Sequence, residues 1–147
     1  MSENWLNLNE KVYIITGGSS GIGEAIVKEL LNDGAYVYDA DLQPAKEEHD
    51  HLTFVETDVT NKGQVDALVA RVVEEHGHVD GVVNNAGINL PRLLVDAKES
   101  NSKYELTEND FDKMFNVNVK SVFLMSQAVA RQLVKQKSGV IVNMASE

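Results

Sequence analysis

Residues 11–23 read KVYIITGGSSGIG, an apolar run that passes directly into a segment of glycine and serine. The apolar run predicts a buried strand, and the pattern after it predicts the start of a helix. Glycine lowers the stability of a helix, so its use at this junction indicates that the chain needs bare backbone there. The segment therefore predicts a strand, a tight turn and a helix, in that order.

The composition excludes several classes of partner. The 147 residues include 13 basic and 23 acidic side chains, and the formal charge of -10 would repel the backbone of a nucleic acid. The chain has no cysteine, and its four histidines do not show the spacing of metal ligands, so we expect no disulfide and no metal site. No apolar run approaches the ~20 residues of a membrane span, and the start has no apolar leader region. We expect no membrane partner, and one domain over residues 1–147 in the cytoplasm.

Short apolar runs alternate with helical patterns along the chain. After the first strand, strand patterns recur at AYVYDAD (35–41), LTFVETD (52–58), VDGVVNNAG (79–87) and GVIVNMAS (139–146). Helical patterns fill residues 21–34, 61–76 and about 107–137, and a bend near residues 116–118 is left open. The first helix is predicted to place Ile22, Ile26 and Leu30 on its apolar face. This alternation predicts an α/β fold with a doubly wound parallel sheet, of which the chain holds five strands.

The glycines of residues 16–23 have distinct predicted roles. Gly17 permits the tight turn, Gly21 lets the backbone approach a ligand, and Gly23 lets the helix and strand pack closely. The helix then points unpaired N–H groups at the ligand, and a pyrophosphate is the group that suits them best. The same turn contributes the further candidate residues Ser19, Ser20 and Ile22. The alternative is a glycine-rich turn in an α/β protein that binds nothing.

Acidic residues close the second and third strands. Asp41 can accept hydrogen bonds from both ribose hydroxyls of an adenosine and would repel an additional phosphate, which favours NAD over NADP. We interpret Asp39 as a polar residue at the strand terminus. Asp58 and Val59 suit an adenine edge, although an aspartate at such a position is more often a helix cap.

The motifs resemble those of the short-chain dehydrogenase/reductase family in order and separation. They are TGGSSGIG (16–23), Asp58–Val59, NNAG (84–87), Asn118 in NVNVKS and Ser146 in VNMAS. The resemblance implies a Rossmann-type fold and an NAD-dependent oxidoreductase, in which Asn85, Ala86 and Gly87 line the cofactor site beside the ribose. The alternative for NNAG is a turn at a strand end that amide hydrogen bonds stabilise.

The family resemblance also implies catalytic roles for two residues. Asn118 matches an asparagine that holds a water in a proton relay, and Ser146 matches a serine that hydrogen-bonds the reacting oxygen. Their alternatives are a kink within a helix and an ordinary hydroxyl at a strand end. The family's acid–base tyrosine and its lysine are expected beyond Glu147, because no tyrosine of this chain stands in Y-x-x-x-K spacing. We therefore expect residues 1–147 to be a truncated domain that is inactive by itself.

The long charged segment after NNAG, together with the residues that follow it, is similar to polyol-phosphate dehydrogenases of the family. That similarity implies a phosphorylated polyol as the small-molecule substrate, and Arg92 is a candidate for its phosphate. The alternative for Arg92 is a solvated loop cation. Two other functions stay open: a reductase of ketoacyl thioesters that uses NADPH, and a noncatalytic nucleotide-binding module.

The long helix from Thr107 carries more apolar residues than one face of a sheet requires. These residues are Phe111, Phe115, Val122, Met125 and Val129. The family resemblance implies that this helix packs against its twin in a homodimer or homotetramer. The alternative is that all five face the sheet.

Overall fold

A computed structural model describes residues 5–99 and 102–146. Its single sheet is parallel and consists of β1 (Val12–Thr16), β2 (Tyr36–Asp41), β3 (Leu52–Glu56), β4 (Gly81–Asn84) and β5 (Val140–Asn143). The helices are α1 (Gly21–Asn32), α2 (Lys62–His76), α3 (Glu108–Phe115) and α4 (Ser121–Gln136), and a π-helical segment, Asn116–Lys120, joins α3 to α4. The predicted α/β fold with five parallel strands is confirmed.

The order of the strands, β3-β2-β1-β4-β5, identifies where a ligand site should form. The chain adds β2 and β3 on one side of β1, and then crosses to add β4 and β5 on the other side. The loops that leave the carboxyl ends of β1 and β4 therefore diverge, and the crevice between them is where open α/β sheets bind ligands.

Helices cover both faces of the sheet. One face packs against α1 through Ile15, Val27, Leu31 and Val37. On the opposite face, residues of α2 and α4 such as Val65 and Met125 join a larger buried cluster that includes side chains of β1, β2 and β4. Strands with both faces covered need nearly continuous apolar sequence, which is what the run at β1 shows.

The predicted apolar face of α1 is confirmed at Ile26 and Leu30, which are partly buried against the cluster on this side of the sheet, and is wrong at Ile22. The helix buries Gly23, Val27 and Leu31, whereas the Ile22 side chain is 65% exposed. The reason is that Gly23, packed against the Gly17 carbonyl and the Asn85 side chain, belongs to the buried face but has no apolar side chain to mark it in the sequence. Ile22 is thereby directed toward the cavity described below.

The predicted long helix forms in two parts. Thr107 begins α3 with a capping box, in which its hydroxyl accepts from the Asp110 amide at 3.0 Å. The π-helical segment includes residues 116–118, where the sequence pattern allows a bend. Met125 and Val129 of α4 are buried, but Phe111 and Phe115 of α3 are 55% and 51% exposed, so the alternative in which all of these side chains face the sheet is wrong.

β5 is an edge strand among the described residues, since it pairs only with β4. Val140 and Val142 of this strand are exposed. Within residues 5–99 and 102–146, no helix has the length and apolar character needed to cross a membrane. The assignment of residues 1–147 to one domain stays a prediction.

Candidate cofactor and catalytic site

The loops at the carboxyl ends of β1, β2, β3 and β4 enclose a cavity of about 520 Å³, which we call the first cavity. The predicted cofactor-binding residues that line it are Gly17, Ser20, Ile22, Asp41, Asp58, Val59, Asn85, Ala86 and Gly87. Residues separated by up to 70 positions in the chain therefore share one wall. Of the other candidates, Gly21, Ser19 and Gly23 do not line this cavity, and Gly23 and Ser19 are buried behind it.

The glycine-rich turn has no room for a side chain at Gly17, Gly18 or Gly23. Gly17 has a φ of +67°, and an added Cβ would lie 3.0 Å from the Ala86 Cα. A Cβ on Gly23 would lie 2.1 Å from the Gly17 carbonyl oxygen and 2.5 Å from the Asn85 Nδ2. Gly21, in contrast, faces open space. The turn thus exposes backbone at the start of α1, as a bound pyrophosphate would require.

Asn85 joins the end of β4 to the turn after β1. Its Nδ2 donates to the carbonyl oxygens of Thr16 and Gly17, both at 3.2 Å. In return, the Thr16 hydroxyl accepts from the amides of Asn85 and Ala86, each at 2.9 Å. The side-chain amide of Asn85 and the backbone N–H groups of Asn85 and Ala86 therefore hold the turn in place, and residues 85–87 line the first cavity.

Asp41 is held by two backbone amides. Its Oδ2 accepts from the Ser19 N–H at 3.1 Å, and its Oδ1 accepts from the Gln43 N–H at 3.0 Å. Each carboxylate oxygen has a second lone pair, so the group can accept further hydrogen bonds from within the first cavity. Its orientation is set by the backbone, and this preorganises it for a ligand that carries hydroxyl groups.

Asp39 does not fit the interpretation as a simple strand terminus. The residue is fully buried, and its Oδ2 lies 2.7 Å from the Ser19 hydroxyl. Burial raises the pKa of this carboxyl, and the charge of Asp41 raises it further, while hydrogen bonding to Ser19 opposes both effects.

Asp58 is not a helix cap. Its Oδ1 accepts from the Thr60 amide at 2.9 Å and from the Thr60 hydroxyl at 2.6 Å. The cap of α2 is Asn61, whose side chain accepts from the Gln64 amide at 3.1 Å. The capping alternative is therefore wrong, and Asp58 and Val59 lie in the wall of the first cavity.

A second cavity of about 580 Å³ adjoins the first and shares with it Ile22 and residues 85–88. The two predicted catalytic residues, Asn118 and Ser146, both line this second cavity. Asn118 lies in the π-helical segment, and its side chain makes two hydrogen bonds to the backbone of Ile88. Its Oδ1 accepts from the Ile88 amide at 2.8 Å, and its Nδ2 donates to the Ile88 carbonyl at 2.9 Å. It thereby fixes the loop that separates the two cavities.

Arg92 lies outside the residues that line either cavity. Its Nε is 3.7 Å from Asp110 Oδ2, and its Nη1 donates to the Pro91 carbonyl at 3.1 Å. The role of Arg92 at a substrate phosphate stays a prediction that this geometry does not support.

Sequence reasoning missed two residues of the site. Thr16 is 2% exposed and connects β1 to β4 through its hydroxyl, and the signal for it was its place just before the glycines. The second is Lys113, in the last turn of α3. Among the described residues that line the first cavity, it is the one basic side chain, and no sequence motif marks it. In the described part of the chain, no group of three or more metal-ligating side chains is present.

The parallel sheet, the bare turn before α1 and the carboxylate at the end of β2 are the features of a Rossmann-type α/β fold. The chain belongs to the short chain dehydrogenase family, because the family model adh_short matches residues 11–147. Among individual proteins, it is 51% identical over 145 residues to sorbitol-6-phosphate 2-dehydrogenase of Klebsiella pneumoniae. That match covers 97% of this chain and 54% of the relative.

A second relative is the 3-oxoacyl-[acyl-carrier-protein] reductase FabG of Thermotoga maritima, which is 37% identical over 153 residues, 96% of this chain and 57% of that protein. Among solved structures, aldohexose dehydrogenase of Thermoplasma acidophilum in ligand-free form superimposes with a TM-score of 0.82 at 28% identity, over 95% of this chain and 50% of that one. The chain thus spans about half the length of the relatives that it matches.

Proposed function

We propose that the protein is an NAD-dependent oxidoreductase that interconverts D-sorbitol 6-phosphate and D-fructose 6-phosphate. The observation that carries the proposal is the position of Asp41, a carboxylate that two backbone amides fix in the wall of the first cavity. Support for the substrate comes from the 51% identity to the Klebsiella enzyme.

The residues of the first cavity fit a nicotinamide dinucleotide. The bare backbone of the turn and the start of α1 suit a pyrophosphate, and Gly23 allows the helix to lie close enough to offer its amides. Asp58 and Val59 are proposed to contact the adenine, and the backbone of residues 85–87 is proposed to contact a ribose. When bound, the cofactor would supply hydride acceptance and donation.

Asp41 is proposed to select the cofactor. Its carboxylate can accept hydrogen bonds from vicinal ribose hydroxyls, which the 2′-phosphate of NADP would replace with negative charge. Lys113 is the cation in the wall of this cavity among the described residues, and it lies on α3 rather than beside Asp41. The local charge therefore favours NAD.

The second cavity is proposed to hold the reacting carbon of the substrate. Ser146 would donate a hydrogen bond to the oxygen on which charge changes. Asn118 holds the Ile88 backbone in the wall between the two cavities, so it would keep the cofactor and substrate sites in register. The proton-transfer pair, a tyrosine and a lysine, is proposed to lie outside residues 1–147, as the family resemblance implies.

The proposal extends to assembly and location. Phe111 and Phe115 of α3 have their rings 6.4 Å apart, and both are half exposed. Such a pair supports burial in a homodimer or homotetramer, because aromatic side chains contribute strongly to subunit contacts. We place the enzyme in the cytoplasm, since a chain without cysteine needs no oxidising compartment.

The experiment that tests the proposal is an assay of the intact protein for NADH formation at 340 nm with D-sorbitol 6-phosphate and NAD. Unphosphorylated sorbitol is the matched substrate control, and NADP is the matched cofactor control. We expect kcat/KM to be at least tenfold higher with the phosphorylated polyol and with NAD. Ser146→Ala should lower kcat about a hundredfold. Turnover of an acetoacetyl thioester with NADPH, without turnover of the polyol phosphate, would contradict the proposal.

A further inference from the structure

Asp39 is a buried acid that the proposed cofactor contacts do not use. It lies within β2, its residue is 0% exposed, and its register partners are Ile15 of β1 and Phe54 of β3. Its Oδ1 is buried and makes no hydrogen bond of ordinary geometry among the described residues, although the Gly18 amide lies close enough to lower the pKa of the carboxyl. An ionised carboxylate with an unsatisfied oxygen in such a place is costly, so the protonation state of this side chain needs an explanation.

A count of protons around Ser19 provides that explanation. The Ser19 Oγ lies 2.7 Å from Asp39 Oδ2 and also 2.7 Å from the Gln43 carbonyl oxygen. A hydroxyl has one proton to donate, and a carbonyl oxygen can only accept. If Asp39 were ionised, one of these short contacts would bring two oxygens together without a proton between them. A proton on Asp39 satisfies both contacts, because Asp39 then donates to Ser19 and Ser19 donates to Gln43.

The surroundings of Asp39 favour the neutral form. Burial raises the pKa of its carboxyl and the charge of Asp41 raises it too, whereas a hydrogen bond donated by Ser19 to the ionised form and the Gly18 amide lower it. The neighbouring side chains on β1 and β3 carry no charge. Of the charged groups on α1 and in the loop after β2, Lys28 lies 3.1 Å from Glu24 and 3.7 Å from Glu47, so this cation is directed to those two carboxylates rather than to Asp39.

We propose that Asp39 is a positioning residue of the cofactor site, which acts as a neutral carboxylic acid and holds Ser19 in place through its proton. Ser19 connects three partners: Asp39 and the Gln43 carbonyl through its hydroxyl, and Asp41 through its backbone N–H at 3.1 Å. The chain of hydrogen bonds therefore ties the glycine-rich turn to the loop after β2 and sets the orientation of the Asp41 carboxylate. The inference rests on the proposed function, since the site that it supports is the proposed NAD site.

The first test measures NADH affinity in variants of the intact protein. Asp39→Asn keeps a donor without charge and should bind NADH within about threefold of wild type. Asp39→Val has a similar size but no donor, and it should bind NADH at least tenfold more weakly than wild type. Ser19→Ala should show the same loss, and it serves as the test variant if Asp39→Val does not fold. Asp66→Asn, an exposed change on α2, is the matched control and should have no effect. If Asp39→Asn binds as weakly as Asp39→Val, or Asp39→Val binds as tightly as wild type, the proposal is overturned.

The second test does not involve a cofactor. In protein labelled with ¹³C at aspartate carboxyl groups, the resonance that disappears in Asp39→Asn reports on Asp39. We expect it to remain at the protonated position well above pH 3.8, the ordinary pKa of the group. Titration at or below that value would overturn the neutral acid. If wild type does not bind NADH, the proposed function fails by itself, and this resonance still decides the protonation of Asp39.

Discussion

Replacing Asp41 by Asn tests the basis of the predicted cofactor preference. The change removes one negative charge from the wall of the first cavity and leaves the side chain nearly the same size. Asn offers one acceptor atom instead of two, so it can keep either the contact to the Ser19 amide or the contact to the Gln43 amide. The fold around the turn should therefore survive, and the effect should appear in cofactor binding.

The size of the effect follows from two opposing interactions. Hydrogen bonds from ribose hydroxyls to a charged acceptor contribute about 1.5–3 kcal/mol, so the affinity for NADH should fall about ten- to a hundredfold. A carboxylate and a phosphate 4 Å apart repel by about 4 kcal/mol at an effective dielectric constant of 20. Asp41 is half-buried, and screening by solvent reduces that repulsion to about 1–2 kcal/mol. The affinity for NADPH should therefore rise about tenfold.

The assay is a fluorescence titration of wild type, Asp41→Asn and Asp66→Asn with NADH and with NADPH. Asp66 is an exposed acid on α2, so its substitution makes the same change in net charge away from the cavity. We expect a shift in the NADH/NADPH affinity ratio of at least a hundredfold for Asp41→Asn and no shift for the control. An unchanged NADH affinity, or an equal loss of both cofactors, would refute the assignment of Asp41 as the selecting group.

Three further changes are predicted. Gly23→Ala places a Cβ 2.1 Å from a backbone oxygen, so it should lower the free energy of unfolding by about 1–3 kcal/mol and weaken NADH binding at least tenfold. The control is Gly63→Ala on α2, where the nearest atom to the added Cβ is 3.4 Å away, and it should change neither quantity. Thermal melts and cofactor titrations measure the two effects. Asn118→Ala removes both bonds to the Ile88 backbone and should lower kcat/KM for NAD about ten- to a hundredfold in steady-state assays; an unchanged value would separate this residue from the site. Asp39→Asn removes an acid that keeps its proton in the fold above pH 3.8. The protonated form of Asp39 contributes its full stabilisation below that pH, and this contribution declines by about 1.4 kcal/mol per pH unit up to the folded-state pKa. As the pH rises, the melting temperature of Asp39→Asn should therefore increase relative to that of wild type. A difference in melting temperature that does not change with pH would contradict the raised pKa.

The sequence was sufficient for the sheet and for the main wall of the site. Apolar runs of four to six residues between helical patterns are what buried parallel strands require, and each such run became a strand. The glycine positions were readable because positive φ and close backbone contacts exclude other residues. Gly17 shows both constraints, and Gly23 shows the close backbone contact.

The features that the sequence did not reveal depend on contacts between distant segments. The first turn of α1 was misassigned at Ile22 because the buried residue there is Gly23, which packs against Gly17 and Asn85 and has no side chain to mark it. In the sequence, Asp39 has the pattern of a polar residue at the end of a strand. Its burial results from the packing of Gly18 and Ser19 against β2. Lys113 lies on α3, which begins at the Thr107 cap, and it reaches the first cavity through the tertiary placement of that helix, which no sequence motif encodes.

The measurement that tests the account most directly is a titration of the intact wild-type protein with NADH and NADPH at one fixed salt concentration. Bare amides at the start of α1 and an oriented carboxylate at the end of β2 predict saturable binding of NADH, at least tenfold tighter than that of NADPH. Tighter binding of NADPH, or no saturable binding of either cofactor, would contradict it.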